Sequence, residues 1–469
     1  MKKTLLLILL SVCMVCCTND FIEPTKGLIN ADNSVSNIVD ETTVSPKDIA
    51  NIVSSFNLRN KSRAEKNYTT SVITDDNSNP LIYVVNFDDN GGFILISATK
   101  DFHPILAYNY EGHYNVNSTV PSGLDVWEND MKTAIQEAKN QDIDSIKSNR
   151  MEWTIYSSKN LPKPAKPLSI GYEFITEEEY QELIPIYNQA VDDLVNNKYD
   201  VYDYPSWSSK LFESQLYDAE NRAREVYWMY EDIWSDFAIM AIHDDYEDFY
   251  TEKTVKSIWN QLHPYNQVFP PTDNLVHAYA GCGPVAMGQI MRYYEHPVKY
   301  NWIWSQMPLN YGTRETSVFL YELAKMADAR FLDSGTPVSY GDIINTMKAC
   351  GYEVTHNAAP REKDIYQSLS NGMPAIILGT NPSTGIGHAW VASQAHVTEW
   401  TTHYDIYNFT GWKKYGRIGE FHTMYRTTYY FYFNWGWGGS QNGYFLFNNH
   451  SYNNDIKAIY NIKPKNIKS

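Results

Sequence analysis

Cysteine is scarce in this chain: there are five in 469 residues, and Cys13, Cys16 and Cys17 fall within the first 17. The remaining pair, Cys282 and Cys350, is too small a set to staple a body of this size, which excludes a disulfide framework as its source of stability. Cys350 ends the run Met347-Lys348-Ala349-Cys350 just before Gly351, a helix end where a buried structural cysteine is expected. A Cys282–Cys350 bond stays open at this point, and Cys282 is the candidate free thiol. Basic residues are in the minority as well, 38 Lys and Arg against 55 Asp and Glu, and the formal charge of -17 argues against nucleic acid or an anionic membrane surface as a partner. Long apolar runs are missing: the segment from Leu5 to Cys17 holds ~13 residues, where a lasting bilayer span needs about 20. His277, His296, His396, His403 and His450 show none of the cysteine or glutamate spacings of a metal site, so neither a metal nor a cofactor is expected.

The chain opens with Met1-Lys2-Lys3 and the short apolar run, the pattern of a secretory signal over residues 1–17. Because the run ends on cysteines, it resembles a bacterial lipoprotein signal, with Cys17, or alternatively Cys16, as the lipidated residue. An exported protein, lipid-anchored at the outer membrane or cell surface, is the corresponding expectation. Residues 18–44, rich in Asn, Ser, Asp and Thr, read as a flexible tether.

A small α+β domain is expected over residues 45–145. Ser45 caps a helix carrying Ile49, Ile52, Val53 and Phe56, and strands follow at Leu81–Phe87, Phe93–Ser97 and Ile105–Tyr108. Asp88-Asp89-Asn90-Gly91-Gly92 marks a hairpin between the first two strands, and Leu124, Trp127, Met131, Ile135 and Ala138 share one face of a second helix. The stretch 146–250 reads as a linker and an acidic helical insert, with proline-rich residues 159–167 as its exposed, cleavable part and Asp244–Asp248 as a solvated face. Residues 251–469 form a second α+β domain, helices early and strands late, including 375–378, 388–393, 427–434, 444–447 and 456–462.

Four motifs in that second domain carry chemistry. Ala280-Gly281-Cys282-Gly283-Pro284 opens an amphipathic helix with Val285, Ala286, Ile290, Met291 and Tyr294 on one face. The sulfur thus sits at a helix N-terminus, where the macrodipole favours thiolate over thiol. His388 begins an apolar strand behind Gly385 and Gly387, exposed at one end and held at the other, as a general base requires. Asn434 can fix an imidazole tautomer by accepting its Nδ1–H, with Trp435 shielding that bond from water. Gln261 precedes Cys282 by 21 positions, and its side-chain N–H together with the Cys282 backbone N–H can hold an oxyanion.

In order and spacing these motifs resemble the streptopain family of papain-like cysteine peptidases. The resemblance runs over Asn260-Gln261, Gly281-Cys282 with Gln289-Ile290-Met291, Gly387-His388-Ala389, Asn434-Trp435-Gly436-Trp437-Gly438-Gly439 and Ile462-Lys463-Pro464. Asn90 to Ser97 resembles that family's inhibitory propeptide. It implies a papain-like fold behind a propeptide, with Cys282 as nucleophile, His388 as acid and base, Gln261 in the oxyanion hole, and Asn434 and Trp435 supporting the histidine. It further implies that Gly387 bonds the substrate backbone, that Ser334 and Gly335 line the cleft, and that the propeptide is an intramolecular inhibitor of an enzyme acting on proteins or peptides. Gly283-Pro284 departs from the bulkier pair of streptopain, which leaves the chemistry intact; the acidic insert leaves the processing site open. Two other readings fit the same residues: another thiol acyl-transfer enzyme, such as a transglutaminase or amidase, and a catalytically silent surface adhesin on this scaffold.

Overall fold

The computed structural model describes residues 42–59, 67–116, 123–141, 237–297, 302–381, 384–408, 416–447 and 456–465, with short stretches between 146 and 211 and residue 300. The signal segment with Cys17, most of the tether and the 159–167 linker lie outside the described residues.

The N-terminal part begins with α1 (Pro46–Arg59). Ser45 and Asp48 close its first turn reciprocally: the Ser45 N–H donates to the Asp48 carboxylate at 2.8 Å and the Asp48 N–H to the Ser45 hydroxyl at 3.3 Å. Ile49, Ile52, Val53 and Phe56 of this helix are all buried, each contributing about 1.5–3 kcal/mol by leaving water. They pack in one core with an antiparallel meander of β1 (Tyr68–Thr74), β2 (Pro80–Phe87), β3 (Phe93–Ser97) and β4 (Ile105–Asn109), followed by α2 (Gly123–Glu137). The 88–92 hairpin turns on left-handed backbone at Asp89, Asn90 and Gly92. Residues 42–44, expected as the end of the tether, instead lie against this domain. Thr43 bridges Thr99, the Lys100 N–H donates to the Thr42 carbonyl, and Val44 is buried.

In the C-terminal part, β5 (Phe237–Tyr250) precedes α3 (Cys282–Tyr294), α4 (Arg314–Met326) and α5 (Tyr340–Ala349). Then come β6 (Tyr352–Asn357), α6 (Glu362–Ser370), β7 (Ala375–Thr380), β8 (Gly387–Asn408), β9 (Gly416–Asn434), β10 (Gly443–Leu446) and β11 (Lys457–Pro464). Residues 237–250, expected within a helical insert, are a strand: β5 pairs antiparallel with β8 from His396↔Tyr250 to Asn408↔Phe237. Partnership with a long neighbouring strand overrode local helical pattern, as tertiary pairing regularly does.

The two parts share one sheet, in the order β1-β2-β3-β4-β10-β9-β8-β7-β11-β6. The joint is β4 against β10, with Tyr444 opposite Tyr108 and Phe445 opposite Ala107. Alternation along the strands sorts side chains to two faces. Ile377, Trp390, Ala392 and Ala458 join the core containing α1 and α2, whereas Ile376, Val391 and Ile459 join the core built on α3, α4 and α5. Cys350 is wholly buried in that second core at the end of α5, and no disulfide joins it to Cys282.

Candidate active site

Cys282 is the first residue of α3, so its backbone N–H has no partner within the helix. Gly281 before it takes φ +88°, and a Cβ there would stand 2.8 Å from the Thr336 carbonyl, so close approach to the neighbouring loop requires glycine. The Cys282 sulfur is hydrogen-bonded to the His388 imidazole and also accepts from the backbone N–H groups of Ala389 and Gly283. Burial pushes this thiol up, but the facing His388 and these donors outweigh it and hold the Cys282 pKa below its ordinary value of 9.0. Burial likewise lowers His388, and the sulfur, the Trp435 carbonyl and the Asp125 carboxylate more than compensate, raising its pKa above 6.5. Each group therefore favours the charged form of the other, a thiolate beside an imidazolium.

His388 sits at the start of β8, opposite Gly379 of β7. Its Nε2 donates to the Trp435 carbonyl oxygen at 3.1 Å, which leaves Nδ1 for the sulfur. The expected bond from the imidazole to Asn434 is replaced by this backbone contact, on the other ring nitrogen. Asn434 is buried and fully engaged elsewhere: its Nδ2 donates to the Ser257 carbonyl at 2.6 Å and to Gln289 Oε1 at 2.9 Å, while its Oδ1 accepts from the Gly436 N–H at 3.1 Å. Asn434 thus fastens the end of β9 so that the next carbonyl meets the histidine. Trp435 is buried, with its indole 5.3 Å from that of Trp390 and its Nε1–H donating to the Gln441 carbonyl at 3.0 Å.

Gln261 is placed by the bond from the Ala280 N–H to its own carbonyl, 2.9 Å, which ties its loop to the residues just before Cys282. Its side chain is only 5% exposed, yet Nε2 has no hydrogen-bond partner. An amide N–H of this kind is a donor type that an oxyanion can engage. Ser334 and Gly335 form the turn leading into Thr336, the residue packed on Gly281, so that loop flanks the nucleophile. Gly387 is exposed beside His388, with nothing closer than 3.8 Å to the place of a Cβ.

Two positioning residues carry no role in the sequence reading. Gln289, fully buried on α3, accepts from both the Trp259 N–H (3.1 Å) and Asn434, joining the nucleophile helix to the Gln261 loop and to β9. Asn442 accepts from the Trp435 N–H at 3.1 Å. A polar residue on the apolar face of α3 was the available signal for Gln289; nothing local marks Asn442. Among the described residues no group of three or more His, Cys, Asp or Glu is arranged to hold a metal ion.

A thiolate–imidazolium pair at a helix N-terminus is the machinery of a cysteine hydrolase or acyl transferase. Residues 259–445 match the Peptidase C10 family, and residues 42–135 match the Spi protease inhibitor. The chain thus carries a cysteine peptidase domain of the C10, or streptopain, family behind an inhibitor propeptide domain. Over 233 residues, 41% of this chain, it is 26% identical to the thiol protease/hemagglutinin PrtT of Porphyromonas gingivalis, spanning 23% of that relative's length. Among solved structures, a prointerpain A fragment of Prevotella intermedia is 14% identical with a TM-score of 0.44, covering 85% of this chain and 100% of its own. Active interpain A from the same organism is 16% identical, with a TM-score of 0.33 over 45% of this chain and 94% of its own.

Proposed function

We propose that this protein is a cysteine endopeptidase made as a zymogen. The carrying observation is the Cys282–His388 pair, each group shifted toward its charged form by the other, with the Gln261 loop tied to the residues just before Cys282. The Cys282 thiolate attacks a peptide carbonyl carbon, and the carbonyl oxygen takes up the negative charge between Gln261 Nε2 and the Cys282 N–H. As the C–N bond breaks, His388 gives its proton to the leaving amine, and a thioester remains on the sulfur. Water then attacks the thioester, His388 takes the water's proton, and the thiol and the carboxylic product separate. Asn434, Gln289 and Trp435 act by holding β9 so that the Trp435 carbonyl fixes the imidazole.

The leader composition supports export with lipidation at Cys17, anchoring at the outer membrane or cell surface, and release of the peptidase by cleavage in the linker. Finding the C-terminal domain only with membranes after processing would overturn the release step.

The activity test compares wild type with Cys282→Ala on a general protein substrate after removal of the inhibitor domain. Hydrolysis is expected to fall by at least ~10⁴-fold. Acyl transfer to amines in preference to water would instead indicate the transglutaminase-like chemistry. Ligand binding by a wild type without hydrolysis would indicate the silent adhesin.

A further inference from the structure

Five strands meet around a second histidine, well away from Cys282. His396 lies on β8, eight positions beyond His388, which is roughly 26 Å along a strand rising about 3.3 Å per residue. It is buried, and its ring stacks against the residues opposite it on the two neighbouring strands, Tyr250 of β5 at 4.3 Å and Tyr430 of β9 at 5.5 Å. Its Nε2 donates to the Asp248 carboxylate at 2.7 Å, since a carboxylate can only accept. Nδ1 is then the accepting end of the ring, and it takes the hydroxyl of Tyr108 from β4 of the inhibitor domain at 2.5 Å. Burial holds the Tyr108 pKa well above 10.0, so the phenol keeps the proton it donates. The Tyr108 ring stacks on Tyr444 of β10 at 5.0 Å, directly opposite it in the strand pairing. His396, Asp248, Tyr250, Tyr430 and Tyr444 all belong to the C-terminal part, so this cup and the strand edge beside it stay behind when the inhibitor domain leaves.

We propose that the cup is a second binding site of the processed peptidase, one that captures protein substrates by an extended segment carrying a tyrosine, laid along β10 where β4 now lies. The proposal rests on the reading of Cys282 and His388 as catalytic in one respect, that the captured chain is also cut. An interface that merely had to be covered would be met by apolar rings alone. The Asp248–His396 pair adds an acceptor that a hydroxyl at the far end of a ring satisfies, and phenylalanine in the same place would deny Nδ1 that hydroxyl. Pairing along the β10 backbone is indifferent to sequence, so the strand contact supplies affinity and the tyrosine supplies selectivity. A segment held at His396 lies about eight extended residues from His388. Capture therefore raises the local concentration of neighbouring peptide bonds at the thiolate and leaves the chemistry itself untouched.

The test titrates processed protein, alkylated at Cys282 so that nothing is cut, into a fluorescein-labelled strand-forming peptide of unrelated sequence with one central tyrosine, read by polarisation. Phenylalanine in place of that tyrosine should weaken binding about tenfold, the loss of one buried hydrogen bond. His396→Gln should erase the difference between the two peptides. Should that variant fail to fold, Asp248→Ala, at a carboxylate that is 27% exposed, should shrink it by releasing the ring. The full-length chain, whose cup holds Tyr108, should bind neither peptide. Equal binding of the two peptides, a preference unchanged in Asp248→Ala, or equal binding by the full-length chain overturns the proposal. So does binding of a labelled peptide spelling residues 105–111 without binding of the unrelated one, which would make the cup a seat for the inhibitor alone. Binding needs no turnover, so a processed wild type that does not hydrolyse protein would defeat the peptidase reading while these titrations still decide the site. With active enzyme, substrates that differ only in Tyr or Phe about eight residues from the cut bond should differ in KM and share kcat, and equal KM values would overturn the capture role.

Discussion

At the scale of single residues, the site is governed by what surrounds one sulfur and one imidazole. Cys282 is lowered despite burial and His388 is raised despite burial, so the two titrate toward each other as a coupled pair. For the thiol, the thiolate persists as pH falls below 9.0, until its lowered pKa is crossed; for the imidazole, the charge persists as pH rises above 6.5, until its raised pKa is crossed. Alkylation of Cys282 in the processed enzyme should therefore reach half its maximal rate below pH 9.0, and His388→Ala should move that midpoint upward. An unchanged midpoint would break the electrostatic account. Gln261→Ala should reduce kcat by about 10²-fold while leaving the alkylation midpoint in place, because it removes an oxyanion donor and no thiolate partner. The local placement of Cys282 at a helix start and of His388 at a strand start was legible in the sequence because the flanking glycines and apolar runs announce that geometry. The Asn434–His388 bond was misread: which of two adjacent groups, the Asn434 amide or the Trp435 carbonyl, faces the ring depends on Ser257 and Gln289, residues remote in sequence.

At the scale of elements, α2 joins two tasks on one face. Gly123, Val126 and Trp127 address the peptidase, and Asp130, one turn further, is 1% exposed with its Oδ2 unpartnered. Burial pushes the Asp130 carboxyl up to about 8 from 3.8. The folded state thus holds a proton between pH 3.8 and about 8 that the unfolded chain has released, so stability falls as pH rises through that window. Asp130→Asn should flatten this dependence and raise the melting temperature most at pH 8 and above; a variant whose melting curve tracks wild type at every pH would contradict it. The amphipathic spacing of α1 and α2 and the short apolar runs of β2, β3 and β7 made these elements readable, since the helices bury one periodic face and the strands are buried almost throughout. The strand β5 was not readable, because its acidic run Asp244–Asp248 acquires its extended form only by pairing with β8.

At the scale of the whole molecule, the seam between inhibitor and peptidase is polar as well as apolar. Arg426 of β9 lies 3.2 Å from Glu152 and donates to Asn149 at 2.6 Å, beside a His103 whose pKa is lowered by burial and by Arg426 itself, against the pull of Glu152. Asn109 donates to the Asn442 carbonyl at 2.7 Å, and the Tyr430 hydroxyl to the Ile105 carbonyl at 3.0 Å. Arg426→Ala leaves Glu152 buried without that cation, at a cost on the order of 3 kcal/mol. Conversion of the full-length chain to its processed form should quicken accordingly, and an unaltered rate would place the seam's strength elsewhere. No sequence signal announces this seam, since His103, Glu152 and Arg426 meet only through tertiary packing.

The joint of β4 and β10 makes maturation a matter of sheet chemistry. Once the inhibitor domain departs, Gly443–Leu446 loses the strand that now satisfies its outer backbone groups and becomes an open edge, with its Phe445 stripped of cover from Phe93 and Trp127. The processed peptidase should scatter light at concentrations where the zymogen stays clear. The inhibitor's departure thus gives the enzyme access to its substrates and, by the same event, a surface prone to pair with another chain.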